Sequence, residues 1–372
     1  MLEAIGDTPV VQLDRLVPTT PGLPQPQVFA KLELCNPGGS MKDRPALAMI
    51  DAAIADGRLR PGMRVVESSS GNMGIGLAQA CSMRGYRFTC VVDPRTQAAN
   101  VKLMRAYGAE IERVEQPDEA TGDFLTARLA RVQQLLEAGR AAGEPVFWPN
   151  QYGNAANAHA HECGTARELH QTLAASGRQL DVLLVATSTT GTLAGCLDYL
   201  RRESPETRVV AVDAAGSVLF GGVAGQRRIS GLGAGRVTDL SRRLQPDAVV
   251  RVSDLDCIVG ARRLARREAV LAGGSAGGLV VALERLRPTL GQACNVAMIV
   301  ADGGGRYLET VYDDDWVHEA TGCSPHELEQ RVEADVRPGD ESPGHRPSTG
   351  STREAQRETE TMGRLTPAEA AA

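Results

Sequence analysis

Short apolar bursts, separated by glycine-bearing polar turns and alanine-rich stretches, run through most of this chain. Residues 28–34 alternate apolar and polar side chains between proline-containing connections, which predicts a strand; residues 46–54 carry apolar side chains at helical spacing, which predicts a helix. A turn and a short strand precede them at residues 5–13. The pairing then repeats. Residues 64–67, 88–92, 109–114, 146–148, 182–186 and 209–212 are expected strands, while 97–107, 123–138 and the alanine-rich stretch ending at Ser82 are expected helices. Strands alternating with helices predict an α/β fold of two open, twisted, mostly parallel sheets flanked by helices. A division near residue 150 would open a ligand cleft at the carboxyl ends of the strands. The expected domains are a smaller one, residues 36–149, and a larger one built from 1–35 and 150–322. From residue 323 onward Glu, Arg, Pro, Ser, Thr and Gly dominate, so 323–372 is expected to be a polar, disordered tail.

With 372 residues, 42% of them hydrophobic, and a formal net charge of −6, the chain can bury a substantial core. The mild acidity argues against nucleic acid as the main partner, because a phosphate-binding surface shows as a basic excess. Residues 1–6 lack a basic start followed by a long apolar core, and no run approaches the roughly 20 apolar residues of a membrane helix. A cytoplasmic protein, neither secreted nor membrane-bound, is expected. The eight cysteines are scattered without a Cys-x-x-Cys pair and are expected to be reduced thiols. His159-Ala160-His161-Glu162-Cys163 carries metal-ligating side chains but has no second ligand cluster, so it is read as polar positions on a helix and no metal is expected.

The candidate chemistry sits in the turns. Residues 36–45, Asn-Pro-Gly-Gly-Ser-Met-Lys-Asp-Arg-Pro, deliver Lys42 to the start of an expected helix. A lysine amine condenses with an aldehyde, yields to a substrate amine and then acts as acid or base; the plain alternative is a solvated surface charge. Ser68-Ser69-Ser70-Gly71-Asn72-Met73-Gly74 follows a strand and offers hydroxyls and backbone N–H groups at a helix start, suited to a substrate carboxylate or to simple capping. Thr187-Ser188-Thr189-Thr190-Gly191-Thr192 repeats the arrangement with more hydroxyls, as a phosphate dianion requires. A third glycine-rich turn surrounds Ser275. Two further glycine clusters, 231–235 and 303–306, lack the context of nucleotide-binding loops and are read as closing turns or lining the mouth of the site.

In this order the stretches resemble the cysteine synthase and cystathionine β-synthase family, across residues 5–316. The family pattern Asn-Pro-x-Gly-Ser-x-Lys-Asp-Arg implies that Lys42 carries pyridoxal phosphate as a Schiff base. Its Thr-Ser-Gly-Asn-Thr-Gly loop implies that Asn72 contacts the cofactor's 3′ oxygen, and that Ser69, Ser70, Gly71 and Met73 meet the amino-acid substrate; Met73 replaces the usual threonine. Its Gly-Thr-Gly-Gly-Thr cup assigns Thr187, Ser188, Thr189, Thr190, Gly191 and Thr192 to the phosphate, with Ser188 and Thr190 in place of two glycines. Ser275 matches the serine facing the pyridine nitrogen. A neutral hydroxyl there makes a weaker electron sink, suited to eliminating a good leaving group. The implied architecture is fold type II, similar to the tryptophan synthase β chain, with the cofactor between domains, and the implied assembly is a homodimer.

Within the family, residues 38–42, 150–152, 188–191, 216–221 and 306–308 are most similar to a branch that joins phosphoserine to glutamate, on the way to 2,3-diaminopropionate for siderophores or peptide antibiotics. That likeness implies small-molecule amino-acid substrates held by Arg128, Gln151, Tyr152 and Ser188, with Arg44 and Arg228 as further cations. A cysteine synthase using sulfide and a non-catalytic, amino-acid-binding relative are the alternative readings.

Overall fold

In the computed structural model, which describes residues 1–334, the alternation of strand and helix resolves into two sheets. Strands β1 (Val10–Gln12), β2 (Gln27–Leu32), β3 (Arg64–Ser68), β4 (Arg87–Val92), β5 (Glu110–Arg113), β6 (Val146–Phe147), β7 (Val182–Ala186), β8 (Arg208–Ala214), β9 (Ala248–Val252) and β10 (Asn295–Val300) form a four-stranded sheet, order β5-β4-β3-β6, and a six-stranded sheet, order β1-β2-β10-β7-β8-β9. Every pairing is parallel except that of β1 with β2. Helices α1 (Asp43–Ala55), α2 (Asn72–Arg84), α3 (Ala98–Ala106), α4 (Phe124–Ala141), α5 (Ala155–Ala160), α6 (Arg167–Ala175), α7 (Gly191–Glu203), α8 (Asp254–Glu268), α9 (Gly274–Leu286), α10 (Asp314–Thr321) and α11 (Pro325–Glu333) flank the sheets, and a π turn at His161–Ala166 joins α5 to α6. This is the α/β architecture that the alternation predicts.

Both sheets bury two faces, which is why their strands read as near-continuous apolar runs. In the smaller sheet Val65, Phe88 and Cys90 pack with Met49 and Ile50 of α1 and Ile75 of α2. Val66 and Val91 face Val132 of α4 on the other side. In the larger sheet β10 is the spine, in register with β2 (Val300 opposite Leu32) and with β7 (Val296 opposite Val182). Its alternate residues Val296, Met298 and Val300 join Leu279 and Leu283 of α9. Ala297 and Ile299 join Leu169 of α6 and Leu193 of α7. The sequence reading passed over β9 and β10, although Asn-Val-Ala-Met-Ile-Val is an apolar run of strand length.

The tail expected from residue 323 is corrected over its first part. Ser324 caps α11 by accepting from the Glu327 N–H, and Cys323, Leu328 and Val332 are buried in the larger core. Arg263 of α8 donates to the carbonyls of Val332 and Ala334 at 3.2 and 2.8 Å, holding the end of the helix. The polar composition of this stretch is the solvent face of an amphipathic helix whose apolar positions are four apart. The rest of the expected tail lies outside the described residues. No described helix is long and apolar enough to cross a membrane.

Candidate active site

The turn before α1 is anchored on the end of β10. Met41 N–H donates to the Ala301 carbonyl at 2.8 Å, Gly303 N–H to the Gly39 carbonyl at 3.2 Å, and Ser40 forms an antiparallel bridge with Asp302. Gly39 adopts φ +77°, a conformation that favours glycine, and a Cβ on Gly38 would run into the Asp43 carboxylate. Lys42 follows as the residue immediately before α1. It is one of three lysines in the chain. Lys31 is tied to Glu168 at 2.6 Å and Lys102 is exposed on α3, so Lys42 is the one half-buried lysine. Burial pulls its ammonium from the ordinary 10.5 down to about 8, against the carboxylates of Asp302 and Glu33, which raise it. An amine in that range is half deprotonated near pH 8, so a far larger fraction is available as a nucleophile than for an ordinary lysine.

The serine-rich turn after β3 leads into α2. Ser69 Oγ accepts from the N–H groups of Gly74 at 2.9 Å and Gly71 at 3.3 Å, so the hydroxyl expected at a substrate carboxylate also closes the loop. Ser70 and Gly71 remain half-buried, Met73 is buried, and Ser230, which the sequence reading did not single out, faces Gly71. Ser68 Oγ is buried without a partner. The Asn72 amide is fixed from both sides: Nδ2 donates to Asp302 Oδ2 at 2.8 Å and Oδ1 accepts from Arg306.

The hydroxyl-rich turn after β7 divides its side chains between scaffold and site. Thr187 Oγ1 donates to the Val212 carbonyl at 3.1 Å, and Thr190 Oγ1 to the Thr189 carbonyl at 2.6 Å. Thr190 takes φ +69°, the strained conformation expected where a glycine is replaced, and its side-chain hydrogen bonds, including 3.2 Å to Thr238, offset that cost. Thr192 Oγ1 meets His161 Nε2 at 3.3 Å, while Ser188 is half-buried and Thr189 buried. A Cβ on Gly191 would collide with the Asn157 amide.

The expected substrate cations part company. Arg44 is spent: its Nε lies 2.7 Å from Glu33 Oε2 and its Nη1 2.7 Å from Glu168 Oε1, so burial and paired carboxylates remove it from the candidates. Arg228 is exposed. Arg128 on α4 is buried with its Nε 3.1 Å from Asp93 Oδ2 but out of hydrogen-bond alignment, and neither Nε nor Nη1 has a hydrogen-bond partner. It lies near enough to Tyr152 to oppose burial, which pushes that phenol up to about 12. Gln151 Nε2 donates to the Ser68 carbonyl at 3.0 Å, which ties the Tyr152 segment to the serine turn.

Glu67 and Asn157, absent from the sequence reading, brace this arrangement. Glu67 is buried and accepts from Trp148 Nε1 at 2.9 Å and Gln151 N–H at 3.1 Å; burial lifts its carboxyl to about 7 against those bonds. Asn157 Nδ2 donates to the Gln151 carbonyl at 2.7 Å while standing against Gly191. The residues of 159–163 partly converge: His159, Glu162 and Cys163 place ligand-type atoms within 4.8 Å at the surface, where Glu162 already pairs with Arg202 at 2.9 Å.

The donor set fits pyridoxal phosphate. Lys42 would supply an amine for its aldehyde, and the N–H groups of the first turn of α7, which no side chain of the preceding Thr190 caps, would supply donors for its phosphate. Ser275 is buried in the first turn of α9.

The chain matches the model of the pyridoxal-phosphate dependent enzyme family over residues 1–302. It is 46% identical over 318 residues to the N-(2-amino-2-carboxyethyl)-L-glutamate synthase of Ralstonia nicotianae, covering 85% of this chain and 90% of that one. It is 43% identical over 320 residues to the synthase of the same name from Cupriavidus metallidurans, with the same two coverages. Among solved structures, O-ureido-L-serine synthase is 34% identical with a TM-score of 0.74, covering 85% of this chain and 98% of that one. An O-acetylserine sulfhydrylase from Entamoeba histolytica is 31% identical with a TM-score of 0.76, covering 90% and 96%. Sequence, fold and site agree that this chain belongs to the pyridoxal-phosphate dependent enzymes.

Proposed function

We propose that the enzyme performs a β-replacement, converting O-phospho-L-serine and L-glutamate to N-(2-amino-2-carboxyethyl)-L-glutamate and phosphate. The Cβ–O bond of phosphoserine breaks as phosphate leaves, and the Cβ–N bond to the glutamate amine forms. When bound, pyridoxal phosphate supplies the electron sink that lets the proton leave Cα. In this reading Lys42 holds the cofactor and takes that proton once the substrate amine displaces it. Thr189, Gly191 and Thr192 hold the cofactor's phosphate, Asn72 its 3′ oxygen and Ser275 its ring nitrogen. The turn 69–73 receives the substrate carboxylate.

The observation that carries the choice of glutamate is Arg128. A buried guanidinium with two nitrogens lacking hydrogen bonds is costly to keep, and an incoming carboxylate would satisfy it. Sulfide would leave those two nitrogens without hydrogen bonds, with the Asp93 carboxylate as counter-charge. Tyr152, Gln151 and Ser188 complete the proposed acceptor side. The names of the two bacterial relatives support the same assignment. Purified protein is incubated with phosphoserine and either glutamate or sulfide, and phosphate release is compared. The proposal expects release that depends on glutamate; a clear preference for sulfide makes the protein a cysteine synthase. A cytoplasmic homodimer serving 2,3-diaminopropionate supply for a siderophore or peptide antibiotic completes the proposal.

A further inference from the structure

Two residues beyond the β10 spine, Asp302 touches three of the four turns that build the site. Its backbone bridges Ser40 in the lysine turn, and its carbonyl accepts from Gly273 N–H at 3.0 Å in the turn that carries Ser275. Its side chain reaches the third: Oδ2 accepts from Asn72 Nδ2 at 2.8 Å and from the Tyr307 hydroxyl at 2.6 Å, and lies 3.7 Å from Arg306 Nη2. The carboxylate is 3% exposed, too buried to serve as a solvated surface charge. A Cβ on Gly273 would overlap Oδ1, so the carboxylate packs where only a glycine leaves it space.

Two consequences follow from this geometry. The Asn72 amide has one donating and one accepting end, and a carboxylate on one side with a guanidinium on the other permits one orientation. The same negative charge acts on the Lys42 amine from across the bridge at Ser40. We propose that Asp302 is a positioning residue of this site, orienting the Asn72 amide and balancing positive charge on the nitrogen of Lys42. The inference rests on Lys42 being the cofactor's attachment point.

The test uses the holoenzyme, following its absorbance near ~410 nm as a function of pH in wild type and in Asp302→Asn, which keeps the shape and removes the charge. Without that charge the linkage nitrogen should lose its proton at lower pH, moving the midpoint down by about one unit. A merely structural role predicts the opposite sign, because admitting water favours the charged form. Tyr307→Phe removes a hydrogen bond but keeps the carboxylate, and should move the midpoint by less than about 0.3 unit. An unchanged or raised midpoint in Asp302→Asn, or an equal shift in Tyr307→Phe, overturns the proposal. If Asp302→Asn does not fold, Asp302→Glu keeps the charge and is expected to stay within about half a unit of wild type, and a larger displacement overturns it. Wild type without the band refutes the role of Lys42 itself, whereas a band whose midpoint ignores Asp302 refutes the role of Asp302 alone.

Discussion

At Arg128 the guanidinium keeps two nitrogens without hydrogen bonds inside the protein, and its replacement tests the proposed second substrate. A hydrogen bond to a charged group is worth about 1.5–3 kcal/mol, so Arg128→Leu should raise the KM for glutamate roughly ten- to a hundredfold. Steady-state phosphate release checks this, and the cofactor spectrum should stay as in wild type; an unchanged KM removes Arg128 from the acceptor side. Lys42→Ala should abolish multiple turnover, and retained turnover contradicts its proposed role. The places of Lys42, Asn72 and the turn at 187–192 beside helix starts were legible in sequence because turn and helix follow one another in the chain. Asp302 was not, since its contact with Asn72 spans 230 positions. Arg44 was misread because charge alone does not say whether a cation is already paired, and at Ser69 the hydroxyl braces its own turn, the capping role that a helix start offers beside a ligand.

At the level of elements, the periodicity gave most strands near their observed bounds, while β10 was missed despite its apolar run. The disagreement at α11 is the more informative one. Composition averaged over a long polar stretch concealed Leu328 and Val332, which occupy one face and are 1% and 2% exposed. Leu328→Ala should therefore cost about 2–5 kcal/mol, measurable as a lowered urea midpoint with an unchanged slope. A change below about 0.5 kcal/mol would mean that the helix does not dock.

For the whole molecule, one buried charge cluster joins the N-terminal strands to α1 and α6. Glu168 accepts from Lys31 at 2.6 Å and Arg44 at 2.7 Å, and Arg44 also pairs with Glu33. Burial works to raise the Glu168 carboxyl, but the hydrogen bonds from Arg44 and Lys31 outweigh it and hold it at about 2 rather than the ordinary 4.5. Its value is depressed in the folded state, so its stabilisation is complete above about 4.5 and is lost as pH falls from there towards about 2. Glu168→Gln should lower stability at pH 7 by about 3 kcal/mol and flatten the acid limb of a stability profile measured by urea unfolding. An acid limb as steep as wild type would show that this carboxylate is not what protons attack first. The scarcity of lysine makes the central claim directly measurable. Borohydride reduction of active enzyme, followed by digestion and mass spectrometry, should place a pyridoxyl phosphate adduct on the peptide containing Lys42; an unmodified Lys42 peptide, or the adduct on Lys31 or Lys102, would contradict the account.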